Sequence, residues 1–325
     1  MGTTLQPLQP TKFYSKASLI LTVGYFSEAG RVFYLQFSHR QVSGGLGYPI
    51  IRLTMTILAS RPFIVRQATD TTTDLQGLTW DGCLHSQRSP GKASCNEDAA
   101  LIFPLGERGV VAAVADGCGG MQAGEQASRI AVHALARSLR HSSWDSRRTL
   151  RAAILDGIDQ ANERILRLGV GAASTLAVVT LLDNYLCSYH VGDSMVLISQ
   201  RQRTRYRSIC HSPVGYAIES GWLGPRRAMS HQDRHLVSNY LGYRSMRIEI
   251  GPALSVSVND RITLASDGLF DNLLTDEVVQ RVASSSPSDG VKKLRRLAIR
   301  RMLGDFQTIP SKPDDLTIIS LRPGP

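Results

Sequence analysis

The acidic residues that could do chemistry in this chain concentrate in short motifs next to apolar segments. The motifs are Asn96-Glu97-Asp98, Asp116-Gly117-Cys118-Gly119-Gly120, Gly192-Asp193-Ser194, Asp267-Gly268 with Asp271, and Asp314-Asp315. Carboxylates that gather without partners repel one another and are costly to desolvate. A fold that brings these motifs together therefore needs cations. Oxygen ligands without Cys or His companions favour hard ions such as Mg²⁺ or Mn²⁺.

Glycines after Asp116 narrow the chemistry further. Gly117, Gly119 and Gly120 allow unusual dihedral angles and let the backbone approach a ligand closely. The carbonyl oxygen of Gly117 is therefore a candidate metal ligand beside the Asp116 carboxylate.

The elements that must position these motifs follow from hydrophobic periodicity. Strands are predicted at Leu101–Phe103, Val110–Ala115, Ser174–Leu182, Tyr185–Val191, Met195–Ser199, Ile248–Ile250, Arg261–Ala265 and Leu316–Leu321. Helices are predicted at Gly124–Leu139, Arg147–Leu168 and Val291–Leu303, and from an N-cap at Thr275 through Val282. Residues 200–245 are predicted to be irregular. This order lacks the strict strand–helix alternation of a parallel sheet and predicts an α+β fold, a central antiparallel β-sandwich flanked by helices.

The positive charge of the chain lies in two places. The 325 residues carry a formal net charge of +10. A surplus of four basic residues lies in residues 1–54 and a surplus of six in residues 291–301, which together account for the whole excess. The remainder is balanced, so a nucleic-acid binder with a positive face along the whole domain is not expected.

The first 54 residues fit the rest of the chain poorly. We predict a basic, weakly structured leader over residues 1–55 and a catalytic domain over residues 56–325. Met55 leaves open a second interpretation, in which translation starts there and the leader is not made. A third alternative is an added subdomain, since Ala17–Tyr25 and Val32–Phe37 are apolar enough for short strands.

Cysteine usage and hydropathy indicate the compartment. The five cysteines form no CxxC pair, and their odd number argues against a disulfide framework or a zinc site. The apolar run Ala17–Phe26 is about half of the length that a membrane span needs. We therefore expect a cytoplasmic protein without a transmembrane segment.

The motifs, taken in order, resemble those of the protein phosphatase 2C family, the metal-dependent serine/threonine phosphatases of bacterial type. Val111–Arg129 resembles the first metal motif of that family almost throughout. The later motifs and the segment after the flap are similar to Ser174–Asp193, His231–Gly242, Asp260–Asp271 and Asp314–Ile319. The resemblance covers roughly residues 75–322.

The resemblance implies a role for each matching residue. Asp116 would bridge two metal ions, and Gly117 would bind one of them through its carbonyl oxygen. Asp267 and Asp314 would bind the second ion, while Glu97 and Asp98 would hold metal-bound waters. A third ion position would use Asp193, Asp271 and Asp267.

The resemblance also implies the reaction, which is hydrolysis of phosphoserine and phosphothreonine in proteins. A hydroxide bridging two Mg²⁺ or Mn²⁺ ions would attack phosphorus, with two or three ions bound. The expected partners are phosphorylated proteins, among them a serine/threonine kinase, and no nucleic acid.

One departure from the family concerns the substrate phosphate. Ala93 stands where the family usually has an arginine that grips the phosphate. Lys92 is the candidate replacement, although an ammonium cannot form the two-pronged contact of a guanidinium. Two alternatives therefore remain. One is a catalytically silent module that sequesters phosphoproteins, and the other is an adaptor that uses its basic surfaces to bind nucleic acid or membrane.

Overall fold

The fold is described from a computed structural model, which gives strands and helices from residue 6 onward. Side chains are described for residues 62–66, 68, 70–118, 123–306 and 311–324. Gly119 and Gly120 therefore lie outside the described residues.

The strands, in chain order, are β1 (Gln6–Pro7), β2 (Thr11–Ser15), β3 (Ser18–Phe26), β4 (Val32–Ser38), β5 (Ile57–Leu58), β6 (Phe63–Arg66), β7 (Asp70–Gln76), β8 (Trp80–Gln87), β9 (Asp98–Pro104), β10 (Gly109–Asp116), β11 (Leu176–Leu182), β12 (Tyr185–Val191), β13 (Met195–Gln200), β14 (Arg203–Arg207), β15 (Glu249–Ile250), β16 (Leu254–Ser255), β17 (Asp260–Ala265) and β18 (Leu316–Pro323). The helices are α1 (Gly124–His141), α2 (Arg147–Leu166), α3 (Pro213–Glu219), α4 (Pro225–Ala228), α5 (Asp267–Phe270), α6 (Thr275–Val282) and α7 (Pro287–Met302).

Two sheets of seven strands each form the centre of the described part of the chain. The first sheet has the order β15-β12-β11-β10-β9-β6, with β16 also paired to β12. The second has the order β14-β13-β17-β18-β8-β7-β5. All neighbours are antiparallel except β5 and β7.

Successive side chains of a strand point to opposite faces of its sheet, and this alternation places the two sheets and the helices in layers. In β10, Val110 and Ala112 face the second sheet, where Leu264 and Ile319 belong to the same buried cluster. The intervening Val111 packs in the cluster beneath α1 and α2. Because both faces of β10 are covered, its sequence is a continuous apolar run rather than an alternating one.

The outer face of the second sheet is covered in the same way. Leu197, Ala265 and Ile318 form a buried cluster with residues of α6 and α7, among them Val278 and Leu294. The result is a helix, sheet, sheet, helix sandwich. This confirms the predicted α+β class, with a central antiparallel β-sandwich flanked by helices.

The structure refines several predicted elements. Thr275 is the first residue of α6 rather than its cap, and Leu274 precedes the helix. The main-chain N–H of Leu274 is bound by the carboxylate of Glu277 at 3.0 Å. Residues 200–245 contain β14, α3 and α4 where we predict irregular chain. Ser212 accounts for α3, since its hydroxyl accepts the N–H of Gly215 at 2.9 Å.

The N-terminal strands concern the predicted leader. β1 to β4 form a separate four-stranded sheet in which β3 is central. Their side chains lie outside the described residues, and the division of the chain at residue 55 remains a prediction. Among the described residues, no helix is long and apolar enough to cross a membrane.

Candidate metal centre

The acidic motifs meet at one edge of the sandwich because the strands that carry them end there. Asp98 opens β9 and stands directly opposite Asp116, which closes β10. Asp267 follows β17 as the first residue of α5, and Asp314 lies two residues before the start of β18. Antiparallel pairing therefore gathers at one edge residues that lie more than 200 positions apart in the sequence.

Asp98 and Asp116 face each other in this cluster, and Asp98 is the more deeply buried of the two. Burial raises the pKa of Asp116 well above its usual value, and the carboxylates of Asp98, Asp267 and Asp314 add to the rise. Asp98 is 1% exposed. Its Oδ2 accepts the hydroxyl of Ser266 at 2.9 Å, whereas Oδ1 has no hydrogen-bond partner among the described residues. Burial and mutual repulsion make the ionised forms of these two carboxylates unfavourable, and a bound cation would stabilise them.

A lysine stands among the carboxylates on the other side of the cluster. The ammonium of Lys312 lies 2.5 Å from Oδ2 of both Asp267 and Asp271. It lies 3.7 Å from Oδ2 of Asp314. Burial raises the pKa of Asp271 to about 6, although Lys312 opposes the rise. Burial and Asp267 raise the pKa of Asp314 to about 7, again against the effect of Lys312.

Asp193 lies in the tight turn between β12 and β13. The turn needs glycine at position 192, where φ is +102° and a Cβ atom would lie 2.6 Å from Cβ of Thr175. Burial raises the pKa of Asp193 to about 8, and Asp267 and Asp271 add to the rise. Asp193 therefore belongs electrostatically to the same cluster.

His211 stabilises this turn through two hydrogen bonds with Gly192. Nδ1 of His211 accepts the main-chain N–H of Gly192 at 3.1 Å, and the main-chain N–H of His211 donates to the carbonyl of Gly192 at 3.0 Å. The Nε2 atom consequently carries the proton and donates to Glu249 at 3.1 Å. His190 stacks on His211 with ring centroids 4.5 Å apart.

The same three side chains, His190, His211 and Glu249, bring ligand-type atoms within 4.8 Å of one another. A metal ion on Nε2 of His211 would require an imidazolate, because Nδ1 already accepts a main-chain N–H. The hydrogen bonds therefore make this group a support for the Gly192 turn rather than a metal site.

Close backbone contact explains the glycines around Asp116. A Cβ atom on Gly117 would lie 2.4 Å from the carbonyl carbon and oxygen of Gly124, the first residue of α1. A Cβ atom on Gly124 would lie 2.8 Å from Oε1 of Glu97. Position 117 thus requires glycine for space, because its contact is with main chain, and the contact at Gly124 places Glu97 beside the start of α1.

Lys92, the predicted phosphate-binding residue, is held by two acids. Its ammonium lies 2.7 Å from Oε2 of Glu97 and 2.6 Å from Oδ2 of Asp315. Asp315 also accepts the N–H groups of Ser89 and Glu97 at 2.8 and 2.7 Å. Asp315 therefore fastens the segment containing Lys92 to the start of β18.

The predicted site residues compare with the structure as follows. Asp98, Asp116, Asp193, Asp267, Asp271 and Asp314 share one electrostatic cluster. Glu97 lies at its rim with Lys92. Sequence reasoning assigned no role to Lys312, and none to Asp315 beyond membership of an acidic motif. The proximity of Lys312 to Asp314 in the sequence was the available signal. The individual catalytic and metal-binding roles stay predictions.

The residues present fit hard divalent cations. The donors are carboxylate oxygens, and buried Oδ1 atoms of both Asp98 and Asp267 lack hydrogen-bond partners among the described residues. Cys118 lies beside the cluster, but burial, together with Asp193 and Asp267, raises the pKa of its thiol to about 12. It therefore remains a neutral thiol, which suits oxygen coordination of Mg²⁺ or Mn²⁺ rather than a thiolate site.

Comparison with known proteins agrees with this geometry. The family model for protein phosphatase 2C matches residues 89–297. The protein phosphatase PhpP of Streptococcus pneumoniae is 28% identical over 194 residues, which cover 57% of this chain and 78% of that protein.

Solved structures show the same fold. A serine/threonine phosphatase of S. agalactiae superposes with a TM-score of 0.65 at 22% identity, covering 75% of this chain and 99% of that one. The catalytic domain of the phosphatase PstP, determined in complex with two manganese ions, superposes with a TM-score of 0.61 at 22% identity, covering 78% of this chain and all of that one.

The family match spans well over half of the chain, from the loop that carries Lys92 to α7, and contains all but one of the predicted metal ligands. The predicted resemblance is thereby confirmed, and the chain belongs to the protein phosphatase 2C family of protein phosphatases.

Proposed function

We propose that this chain hydrolyses phosphoserine and phosphothreonine in proteins with the help of two Mg²⁺ or Mn²⁺ ions. The observation that carries the proposal is the pairing of the buried Asp98 with the half-buried Asp116, neither of which has an ammonium in ion-pair contact among the described residues. Such a pair is costly unless divalent cations compensate it. The names of PhpP and PstP as protein phosphatases support the substrate class.

Divalent cations, when bound, supply activation of water and neutralise charge on the phosphoryl oxygens. The residues that would hold them are Asp116, Gly117, Asp267 and Asp314, with Glu97 and Asp98 holding their water ligands. Because β10, β17 and β18 are packed in the sandwich, these oxygens are fixed before substrate arrives. Such preorganisation avoids reorganisation during the reaction.

Lys92 would attract the substrate phosphate from the rim of the site. Its side chain is 22% exposed, so it is partly accessible to solvent beside Glu97. An ammonium acts as a point charge, which predicts weaker orientation of the phosphate than an arginine would give. A serine/threonine kinase is the expected source of the phosphoproteins.

The test is hydrolysis of a phosphothreonine peptide by the purified protein with Mn²⁺, with Mg²⁺ and with EDTA. The Asp267→Asn variant removes a predicted ligand without changing side-chain size. Asp81→Asn is the matched control, because Asp81 pairs with Arg322 on the second sheet rather than with the acidic cluster.

Turnover that needs a divalent cation, is lost in Asp267→Asn and is kept in Asp81→Asn is the expected result. Absence of turnover with either metal, despite measurable Mn²⁺ binding, would overturn the proposed activity for this substrate class. The phosphatase fold would then act as a silent binding module.

A further inference from the structure

The acidic cluster contains a cation that belongs to the chain itself. Lys312 donates to Asp267 and Asp271 at 2.5 Å, and its side chain is 16% exposed. The resemblance to the family assigns Asp267 and Asp271, with Asp193, to a third ion position. The ammonium therefore stands between two of the three carboxylates that would form that position. It lies farther, at 3.7 Å, from Asp314, which with Asp267 would bind the second ion, so its short contact with Asp271 favours the third position over the second.

The backbone of Lys312 is fastened on both sides, so the contact is built into the fold. Its main-chain N–H donates to Oδ1 of Asn272 at 3.2 Å. The amide of Asn272 returns a hydrogen bond to the carbonyl of Lys312 at 2.8 Å and another to Gly268 at 3.0 Å. Asn272 is fully buried and lies two residues after the last residue of α5. Its carboxamide thus fixes Lys312 against α5, which begins with Asp267 and is followed directly by Asp271.

The charges explain why this arrangement matters. Three carboxylates in a partly dehydrated site repel each other, and a nearby opposite charge stabilises their ionised forms. An ammonium supplies one positive charge and donates hydrogen bonds, but it offers no position for a water ligand. It can therefore replace the electrostatic role of a metal ion without replacing its chemistry.

We propose that Lys312 is a permanent internal cation that occupies the third ion position, so that this phosphatase binds one divalent cation fewer than its carboxylates could hold. The inference rests on the proposed metal-dependent function, but its test needs no substrate. The ammonium remains in place when the other ions bind near Asp116.

The first experiment counts bound ions. Metal-stripped wild type, Lys312→Met and Lys312→Arg are titrated with Mn²⁺, and free Mn²⁺ is read from its electron paramagnetic resonance signal. Lys292→Met is the matched control, because Lys292 lies on α7 and contacts only Asp289 among the described acids at 3.6 Å. Circular dichroism establishes that each variant is folded.

The expected result is one additional bound Mn²⁺ in Lys312→Met, with affinity at the new site more than about tenfold above any residual binding in wild type, because a fixed positive charge is removed. Lys312→Arg and Lys292→Met keep the wild-type number. Equal numbers and affinities in Lys312→Met and wild type would overturn the inference.

A second measurement uses only the wild type and so does not depend on a variant that folds. Lys312 is acetylated with an amine-reactive acetylating reagent, and the rate of its modification is followed by mass spectrometry with and without saturating Mn²⁺. Lys312 is expected to react several-fold more slowly than Lys292 in both conditions. A rise of the Lys312 rate to that of Lys292 when Mn²⁺ is added would show that metal displaces the ammonium, which contradicts the inference.

The outcomes separate this inference from the proposed function. If wild type binds no Mn²⁺ while Lys312→Met does, the internal cation is supported and the proposed two-ion reaction fails. If both bind two ions equally, the reaction remains possible and the internal cation is rejected. If neither binds Mn²⁺, both fall.

Discussion

The acidic site has two halves that solve the same electrostatic problem in different ways. The sheet half consists of Asp98 and Asp116 at the ends of β9 and β10. The lysine half consists of Asp267, Asp271 and Asp314, with Lys312 between them. Burial raises the pKa of Asp98 and of Asp116 well above the usual value. In the lysine half Lys312 opposes the effect of burial, and the pKa is raised to about 6 for Asp271 and about 7 for Asp314.

The difference shows where an external cation is needed most. In the sheet half no ammonium among the described residues forms an ion pair with Asp98 or Asp116, and Asp98 is compensated only by neutral donors such as the Ser266 hydroxyl. We therefore expect the energy gained by binding a divalent ion to be largest there. In the lysine half one charge is already compensated. We therefore infer that Lys312, two positions before Asp314, engages carboxylates of the lysine half in internal ion pairs that would otherwise be free to bind metal.

The largest expected effect comes from comparing isosteric variants in the two halves. Asp116→Asn is expected to lower kcat/KM by at least about 10³-fold, since several kcal/mol of charge stabilisation are lost. Asp271→Asn is expected to lower it by less than about tenfold, because Lys312 already neutralises that position. Steady-state hydrolysis of a phosphothreonine peptide measures both. Equal losses in the two variants would break the distinction between the halves.

An acid-induced loss of stability is expected from a region away from the site. Burial lowers the pKa of His85 to about 4, and Arg295 contributes. The unfolded chain thus binds a proton that the folded chain refuses, so the contribution of His85 to stability falls as the pH drops from about 6.5 to 4, by up to about 3 kcal/mol. Urea unfolding of wild type and His85→Gln at pH 7 and pH 5 measures this contribution as the difference between the two proteins.

The variant His85→Gln should flatten this dependence, whereas His141→Gln, at the exposed end of α1, should leave it unchanged. The acidic site has the opposite sign. Since the pKa of Asp193 is raised to about 8, its protonation favours the folded metal-free protein as the pH falls. A stability that rises steadily from pH 7 to pH 5 would show that the carboxylates dominate.

Asp98→Asn sharpens the view of the sheet half. It removes a buried charge whose Oδ1 has no partner among the described residues. Mn²⁺ affinity is expected to fall about 10- to 100-fold, as for other groups that orient metal ligands. The melting temperature of the metal-free protein should not fall, because a repulsive charge is lost. Calorimetric titration and thermal unfolding in EDTA measure the two effects, and a lower metal-free melting temperature would argue against uncompensated repulsion.

The smallest expected effect compares the second lysine of the site. Lys92→Met breaks the contact with Asp315, whose side chain is only 3% exposed and keeps two main-chain donors. Because Lys92 is partly open to solvent, the loss of stability is expected to be about 1–2 kcal/mol. Urea unfolding checks this value. A role in gripping phosphate would add a higher KM with little change in kcat, while a purely structural role would leave KM unchanged.

Local periodicity was sufficient to predict most of the fold. Apolar runs and helical repeats identified β9 to β13, both long helices of the first layer, and β18, because residues buried in regular elements repeat with the period of the element. The strands β7 and β8 were missed. Their sequences, DTTTDLQ and WDGCLHSQ, mix polar and apolar residues. They are strands because β8 pairs with β18 and β7 pairs with β8.

The composition and order of the acidic motifs were likewise enough to predict the protein phosphatase 2C family, which the family match confirms. The hard-cation site that they indicate stays a prediction. What the sequence alone could not decide was how the charges pair. Lys92 meets Asp315 across 223 positions, and Lys312 meets Asp267 across 45. Such contacts depend on the direction of each side chain and on which strands are neighbours, and these are set only when the two sheets and their helices pack together.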